Sequence, residues 1–485
     1  MSWQILALPY TSGNEWQGAY CVPVVNTCYS IRHVKYGGNY MLMVLDLTTL
    51  TIETYDLGLS VESTDGHYNL AMCGLTSDKS KLICCRARWS GLRCMEIDLQ
   101  TKTARWLGEV APAGDTSLNY PKWLRIRPDK WLVMARTGDG AQWSFFEFRG
   151  EPEQILDSAL WSRRAILPNN SGDGGTTCDD GSLYYMYQPV LFQDPYEPHK
   201  IWMGYHNRCP PQPHRWTYGL LYYDIVRDRF FGWKGDLLDE SLTYRSYSPE
   251  LKVDCSPPEG VTASRPDMGP ASGGGGARVR TSNYDYVILP HVIKDATGSV
   301  VAGGLVKVDL QGKTTTPVYL PKVADDIAHE QLWAWFPTQD GKVIGIQGAS
   351  PSALVLYDPA TDSITEIGGG ARLDTFGAMR LWVFGEKALI PATHMAMTQG
   401  RIVIWSGWST DMKMLTKCLA TGGAGSLRVD ADFWATAPSR LEVTIYKLPD
   451  LTVEATDTVT SPAKPFSKTY TVTAGNKRVL CRAIP

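Results

Sequence analysis

The sequence predicts an all-β fold, a β-propeller of about seven blades followed by a small C-terminal β-module. Three observations predict it: a recurring hairpin phrase, a spacing near fifty residues between its copies, and a composition suited to many short strands. The phrase is an apolar strand, an Asp, a short Thr- or Gly-containing turn and a second apolar strand. It reads Val44-Leu45-Asp46-Leu47-Thr48-Thr49, continuing to Tyr55, and Glu96-Ile97-Asp98-Leu99-Gln100-Thr101, continuing to Trp106. Tyr223-Asp224-Ile225 leads to Phe231 and Trp233, and Val308-Asp309-Leu310 to Val318 and Leu320. Leu356-Tyr357-Asp358-Pro359-Ala360-Thr361 leads to Ile364 and Ile367. In each, the Asp side chain can bond the turn backbone while alternate residues face opposite sides of a sheet.

Asp98 follows Asp46 by 52 residues, and Asp358 follows Asp309 by 49. A degenerate copy, Phe146-Glu147-Phe148, falls 49 residues past Asp98, and 52 residues past Asp358 lies Thr410, within an expected strand pair at 402–408 and 413–418. The two longer gaps, 77 residues from Glu147 to Asp224 and 85 from Asp224 to Asp309, each contain an insertion. One is residues 168–181, rich in Asn, Gly and Asp; the other is 256–277, with a run of four glycines. Without these loops the period is that of propeller blades. A single four-stranded sheet cannot bury both faces; stacking sheets radially does so, and closing the ring removes exposed edges. Past Ser426 the pattern becomes Thr- and Val-rich alternation, as in Leu441-Glu442-Val443-Thr444-Ile445 and Lys468-Thr469-Tyr470-Thr471-Val472. The division expected is therefore a propeller over 1–425 and, over 426–485, either a β-module or the strands that close the ring.

The 485 residues include 45 Gly, 17 Trp and 24 Tyr, as strands joined by tight turns and packed with aromatics require. With 44% hydrophobic and 20% charged residues the chain is globular rather than disordered. A net charge of −3 supplies no global field for nucleic acid or an anionic membrane, and no run of eighteen apolar residues predicts membrane insertion. The first residues, Met-Ser-Trp-Gln-Ile-Leu-Ala-Leu-Pro-Tyr, lack the basic and apolar regions of a secretory signal. Synthesis and retention in the cytoplasm are expected, or exit by another route such as virion assembly. The 11 cysteines include adjacent Cys84 and Cys85 but no Cys-x-x-Cys pair, and read as buried free thiols. His206, Cys209 and His214 approach a metal-ligand grouping, but the stretch holding them is Pro-rich and reads as a loop; neither a metal nor a cofactor is expected. Phosphate-loop, dinucleotide-binding, His-Glu-x-x-His and nucleophile-elbow motifs do not occur.

A further set of residues carries a resemblance. They are Asp65-Gly66-His67-Tyr68-Asn69, the strand 83–93 ending in Gly91-Leu92-Arg93, Asn119-Tyr120-Pro121, and Met134-Ala135-Arg136-Thr137-Gly138. Ile201-Trp202-Met203-Gly204-Tyr205-His206-Asn207-Arg208 then precedes the stretch 218–223. In order and spacing, residues 60–236 resemble the BNR-repeat propellers that include the ulvan-lyase-like polysaccharide lyases. Such lyases cleave uronic-acid polymers by β-elimination: a base takes the proton beside the carboxylate, a cation neutralises that carboxylate, and an acid protonates the leaving oxygen. The resemblance implies His67 as base, Tyr120 as acid or second base, and Arg136 as neutraliser, its planar guanidinium meeting a carboxylate bidentately. It implies substrate binding by Arg88, Trp89, Arg93, Arg208, His214 and Tyr218. The pattern departs from the family at Arg88, where a second histidine is expected, and near Tyr218, where an aromatic replaces a later one. Arg does not titrate near neutrality, so these departures favour retained binding over catalysis.

Each residue also has a structural reading. His67 can be a strand-entry histidine, Tyr120 an inward-packed ring, and Arg136 the partner of Asp139. Arg88, Trp89 and Arg93 can form a solvated face, although Arg with Trp also suits stacking on sugars. His206, Asn207, Arg208 and His214 can border an insertion. Two functional readings stand open: a polysaccharide lyase, or a non-catalytic protein such as a phage tail fibre, tailspike or receptor-binding component. The second would hold an acidic polysaccharide or host-surface glycan and contact other virion subunits.

Overall fold

The computed structural model describes the chain apart from residues 1, 8–21, 25–26, 34–37, 47, 61–69, 89–90, 115–117, 128, 138–141, 167–185, 210–214, 239–248, 255–275, 295–299, 328–331, 339, 349–351, 368–371, 374–381, 385–386, 393–400, 407–413, 416, 424, 433–439, 448–451, 463–465, 474–476 and 485. The described residues form nine antiparallel sheets, and seven of them fit the blades of a propeller, numbered in chain order. Blade 1 takes Val22–Val24, Thr27–His33, Asn39–Asp46 and Ile52–Ser60; blade 2 takes Leu70–Leu75, Lys81–Arg88, Gly91–Asp98 and Thr103–Val110. Blade 3 takes Leu118–Arg127, Lys130–Thr137, Gln142–Arg149 and Trp161–Ile166; blade 4 takes Met186–Gln193, Lys200–Cys209, Arg215–Asp224 and Arg229–Gly232, with Lys252–Asp254 paired to its third strand. Blade 5 takes Ala277–Arg280, Asp285–Lys294, Val300–Asp309 and Thr314–Leu320; blade 6 takes Leu332–Pro337, Val343–Gly348, Ser352–Asp358 and Ser363–Glu366, with Arg372–Leu373 beside its third strand. First strands of blades 1 and 2, 2 and 3, 3 and 4, 5 and 6, and 7 and 1 approach one another, which puts the first strand of each blade innermost.

The recurring Asp performs the turn chemistry that the sequence predicts. Asp98 Oδ1 accepts from the backbone N–H groups of Gln100 and Thr101 at 2.9 and 2.8 Å, and Asp309 Oδ1 from Gln311 and Gly312, both at 2.9 Å. Asp46 and Asp224 make the same pair of contacts, and Asp358 accepts from Ala360. Four residues after each Asp the chain enters the left-handed region: Leu50 at φ 60°, Lys102 at 59°, Asp228 at 57°, Lys313 at 56° and Asp362 at 52°. The repeat thus extends to the backbone dihedrals of the turn between third and fourth strands. Blade 3 lacks the Asp. Its third strand carries Phe146-Glu147-Phe148, and the chain passes through two short 3-10 turns, Pro152–Gln154 and Ser158–Leu160, before the fourth. Glu147 there is fully buried, neutralised by Lys130 and by Arg149 at 2.8 Å.

Apolar side chains from facing blades fill the space between them. One core cluster runs through blades 1 to 3, a second joins blades 3 and 4, a third joins 4 and 5, and a fourth joins 5 and 6. Each fully buried large apolar side chain contributes about 1.5–3 kcal/mol. Packing is close enough that the Trp131 ring of blade 3 lies where a Cβ on Gly74 of blade 2 would sit, 2.5 Å away.

Blade 7 consists of Trp382–Phe384, Lys387–Ala392 and Arg401–Ser406, and its fourth strand is Ser2–Ala7. The two ends of the ring are stitched antiparallel from Ser2 opposite Ser406 to Ala7 opposite Arg401. Of the two expected roles for residues 426–485, ring closure is corrected: the N-terminal strand pairs with Arg401–Ser406 instead. The remaining two sheets form a separate module. One contains Met414–Leu415, Arg440–Lys447, Thr452–Thr460 and Lys477–Ile484; the other contains Lys417–Gly423, Gly425–Asp432 and Phe466–Val472. Leu427, Val429, Leu441, Val443, Ile445, Phe466 and Cys481 are its core, and Leu480 packs against Val226 beside the Asp224 turn of blade 4.

The expected division at 425/426 would cut the hairpin between Lys417–Gly423 and Gly425–Asp432, so the strand pairing starts the module at Met414. For the same reason the expected pair at 402–408 and 413–418 is not a hairpin: Arg401–Ser406 belongs to blade 7, while Met414 and Lys417 begin strands of the module. The insertion 168–181 lies outside the described residues, as do residues 256–275 of the expected insertion 256–277; its last residue, Ala277, begins the first strand of blade 5.

Candidate functional site

Antiparallel order sorts the connections of every blade onto two faces. Turns from first to second strand and from third to fourth share one face, which carries the Asp turns. Turns from second to third strand, and the crossovers into the next blade, share the other. Arg88 ends the second strand of blade 2, and Arg93 is near the start of its third. Tyr120 is near the start of the first strand of blade 3 and Arg136 near the end of its second. Arg208 is near the end of the second strand of blade 4 and Tyr218 near the start of its third. All six positions fall at the crossover end of strands in three consecutive blades. In register, Arg136 stands opposite Asn119 and Trp143, Arg208 opposite Trp216, and Tyr218 opposite His206. His67, Trp89 and His214 lie outside the described residues, as does Asp139.

Arg88 and Arg93 can be followed to their side chains, and they differ. Arg88 Nη1 bonds Glu109 Oε1 at 2.5 Å, with the Glu109 side chain 39% exposed. An ion pair with one partner this exposed is worth about 0–1 kcal/mol, and Glu109 also stands opposite Arg93 in the strand register. Arg93 sits over the Trp106 ring, its guanidinium carbon 4.0 Å from the ring centroid. Trp106 in turn meets Tyr40 of blade 1 edge-on at 5.8 Å. Arg93 is therefore built into the seam between blades 1 and 2. The third strand of blade 2 begins at Gly91, φ 121°, where a Cβ would sit 2.4 Å from the Val110 carbonyl oxygen; only glycine allows that entry.

Arg86 is a cation that sequence reading passed over. It is 2% exposed, donates to the Tyr40 hydroxyl at 2.6 Å, and pairs in register with Arg93. The signal was present in the alternation of Arg86 and Arg88 along one strand, but it does not distinguish a seam from a solvated face.

A second charged cluster, also unforeseen, lies on the Asp-turn face between blades 4 and 5. Arg278, 4% exposed, bonds Asp194 at 2.5 Å, Glu197 at 2.6 Å and Asp285 at 2.6 Å. Burial works against the charge on Glu197, but Lys200 and Arg278 outweigh it and hold the carboxyl at about 2. Asp194 also accepts from Trp202 Nε1 at 2.8 Å. This cluster satisfies itself and joins two blades. Among the described residues no grouping of three or more His, Cys, Asp or Glu side chains could hold a metal.

No protein-family model matches the chain, and no curated protein matches it. Solved structures do. A crystal structure of the polysaccharide lyase Uly1 superposes with a TM-score of 0.52 at 12% identity, covering 80% of this chain and 90% of that one. The β-propeller domain of the Trilobed protease from Pyrococcus furiosus, described as having an open velcro topology, gives 0.39 at 12% identity over 81% of this chain and 96% of that one. A puromycin-hydrolyzing peptidase from Mycobacterium tuberculosis gives 0.43 at 10% identity, over 89% of this chain and 63% of that one. At 12% identity the likeness to the lyase structure is one of fold alone.

Proposed function

We propose that the chain is a carbohydrate-engaging propeller that holds an acidic polysaccharide across the crossover face of blades 2 to 4. The observation that carries this reading is the convergence of strand ends bearing Arg88, Tyr120, Arg136, Arg208 and Tyr218 on that face. The likeness to a polysaccharide lyase structure supports it. Guanidinium groups meet sugar carboxylates bidentately, and aromatic rings stack on the apolar faces of sugars. Glu109 keeps Arg88 compensated until a ligand carboxylate arrives. In this reading Arg93 serves the seam and orients the turn rather than touching the sugar. The setting proposed is a virion component that recognises a host-surface glycan, made in the cytoplasm without a cofactor.

The second reading is an active lyase, favoured by the position of Tyr120 and Arg136 on neighbouring strands of blade 3. Arg136 would neutralise the uronate carboxylate, His67 would take the adjacent proton, and Tyr120 would protonate the leaving oxygen. One assay separates the readings. The purified chain is incubated with a panel of uronate polymers while ultraviolet absorbance of the unsaturated product and binding are followed together. Binding without absorbance, weakened about tenfold or more in Arg136→Ala and Arg208→Ala and by raised salt, is the expected outcome. Absorbance that disappears in His67→Ala and Tyr120→Phe would establish the lyase. Neither binding nor absorbance on any acidic polymer overturns both.

A further inference from the structure

Blade 2 carries four cysteines that its strand register sorts into two pairs. Cys73 on the first strand stands directly opposite Cys84 on the second, and Cys85 on the second directly opposite Cys94 on the third. The sulfur atoms meet at 2.7 Å in each pair. All four are free thiols, between 0% and 1% exposed. Directly opposed residues of an antiparallel pair have Cα atoms about 4.5–5.5 Å apart, inside the range of about 4.4–6.8 Å that a disulfide spans. Cys84 and Cys85 are neighbours on one strand and so project to opposite faces of the sheet. The four sulfurs are thus two pairs on two faces, and cannot close around a single tetrahedral metal ion.

We propose that blade 2 is a site of oxidative cross-linking, in which Cys73 joins Cys84 and Cys85 joins Cys94 when the chain folds in the presence of a small-molecule disulfide such as oxidised glutathione. One protein thiolate attacks a glutathione sulfur, forming a mixed disulfide and releasing one glutathione thiolate. The opposed protein thiolate then attacks the protein sulfur of that bond and expels the second. Each link converts two protein thiols to one disulfide and one glutathione disulfide to two thiols, transferring two electrons and two protons. Burial, followed by the neighbouring thiols, pushes the Cys84 and Cys85 thiols well up, so the reactive thiolate is scarce in the finished blade. The links therefore form while the hairpins are assembling and solvent still reaches the sulfurs. They staple three consecutive strands of one blade, and they do not depend on what the crossover face binds.

The test refolds the full chain in a glutathione redox buffer and in a reducing control, then denatures and alkylates both and maps them by mass spectrometry. The expected result is four fewer alkylated cysteines in the oxidised sample, with the tryptic peptide holding Cys84 and Cys85 bound to those of Cys73 and Cys94. Cys84→Ser should keep only the link from Cys85 to Cys94, and Cys85→Ser only that from Cys73 to Cys84. Full alkylation of all four after oxidative refolding, or a link from Cys84 to Cys94 in place of the opposed pairs, would overturn the proposal.

Discussion

His291 in the second strand of blade 5 is fully buried, and neither ring nitrogen has a hydrogen-bond partner among the described residues. It stands opposite Gly304, with the Tyr319 ring 6.0 Å away. Burial disfavours the charged imidazolium and lowers its pKa to about 3 from the ordinary 6.5. A depressed folded-state value means that the unfolded chain binds the proton more readily. The contribution to stability is complete above pH 6.5 and is lost progressively as pH falls from there toward 3. Across that window wild type should lose about 1.4 kcal/mol per pH unit more than His291→Phe, measured by urea unfolding at pH 7, 5 and 4. Equal slopes for the two proteins would show that His291 is protonated without penalty. Nothing in the sequence sets this histidine apart, because its burial depends on which side of the strand meets the next blade. Arg88 and Arg93 make the same point: two arginines five residues apart, one paired with Glu109 and one placed over the Trp106 ring.

At the scale of the element, the turn between third and fourth strands is the unit that repeats, and its left-handed residue does different work in different blades. Lys313 is exposed there, and its side chain does not offset the cost of its dihedral. A non-glycine residue in that region costs about 1–2 kcal/mol, against about 0.5–1 kcal/mol for the added freedom of an unfolded glycine. Lys313→Gly should therefore stabilise the chain by about 0.5–1 kcal/mol. Asp362 occupies the same place in blade 6, but it accepts from the Tyr357 hydroxyl at 2.5 Å and pairs with Lys307 of blade 5 at 2.7 Å. Losing a hydrogen bond worth about 1 kcal/mol and an interblade ion pair outweighs the relief of strain, so Asp362→Gly should destabilise. Chemical denaturation of both variants checks the opposite signs; a shift in the same direction would mean the turn dihedral alone governs. The Asp of this turn was legible in the sequence because its hydrogen bonds are local, within three residues. The latch from Lys307 to Asp362 spans two blades, so no local pattern announces it.

For the whole molecule, closure depends on one short strand. Ser2–Ala7 covers the edge of Arg401–Ser406, and without it that edge would present unpaired backbone groups to any other chain. A chain beginning at residue 8 should melt at a lower temperature, over a broader range, and self-associate on heating, as calorimetry and size-exclusion chromatography would record. An unchanged transition would show that the ring holds without the stitch. The C-terminal module adds a second long-range contact through Leu480 and Val226, anchoring it beside the Asp224 turn on the face opposite the proposed glycan surface.

The sequence by itself determined the all-β class, the blade period and the Asp turns, since each rests on alternation or on hydrogen bonds between residues close in the chain. Only the tertiary structure decided that the N-terminal strand closes the ring, that the module begins at Met414, and that Arg93 belongs to a seam. It alone set Cys73 against Cys84 and Cys85 against Cys94. The physical reason is common to all four: strand register and the packing of one blade on the next join residues whose separation along the chain carries no local signal.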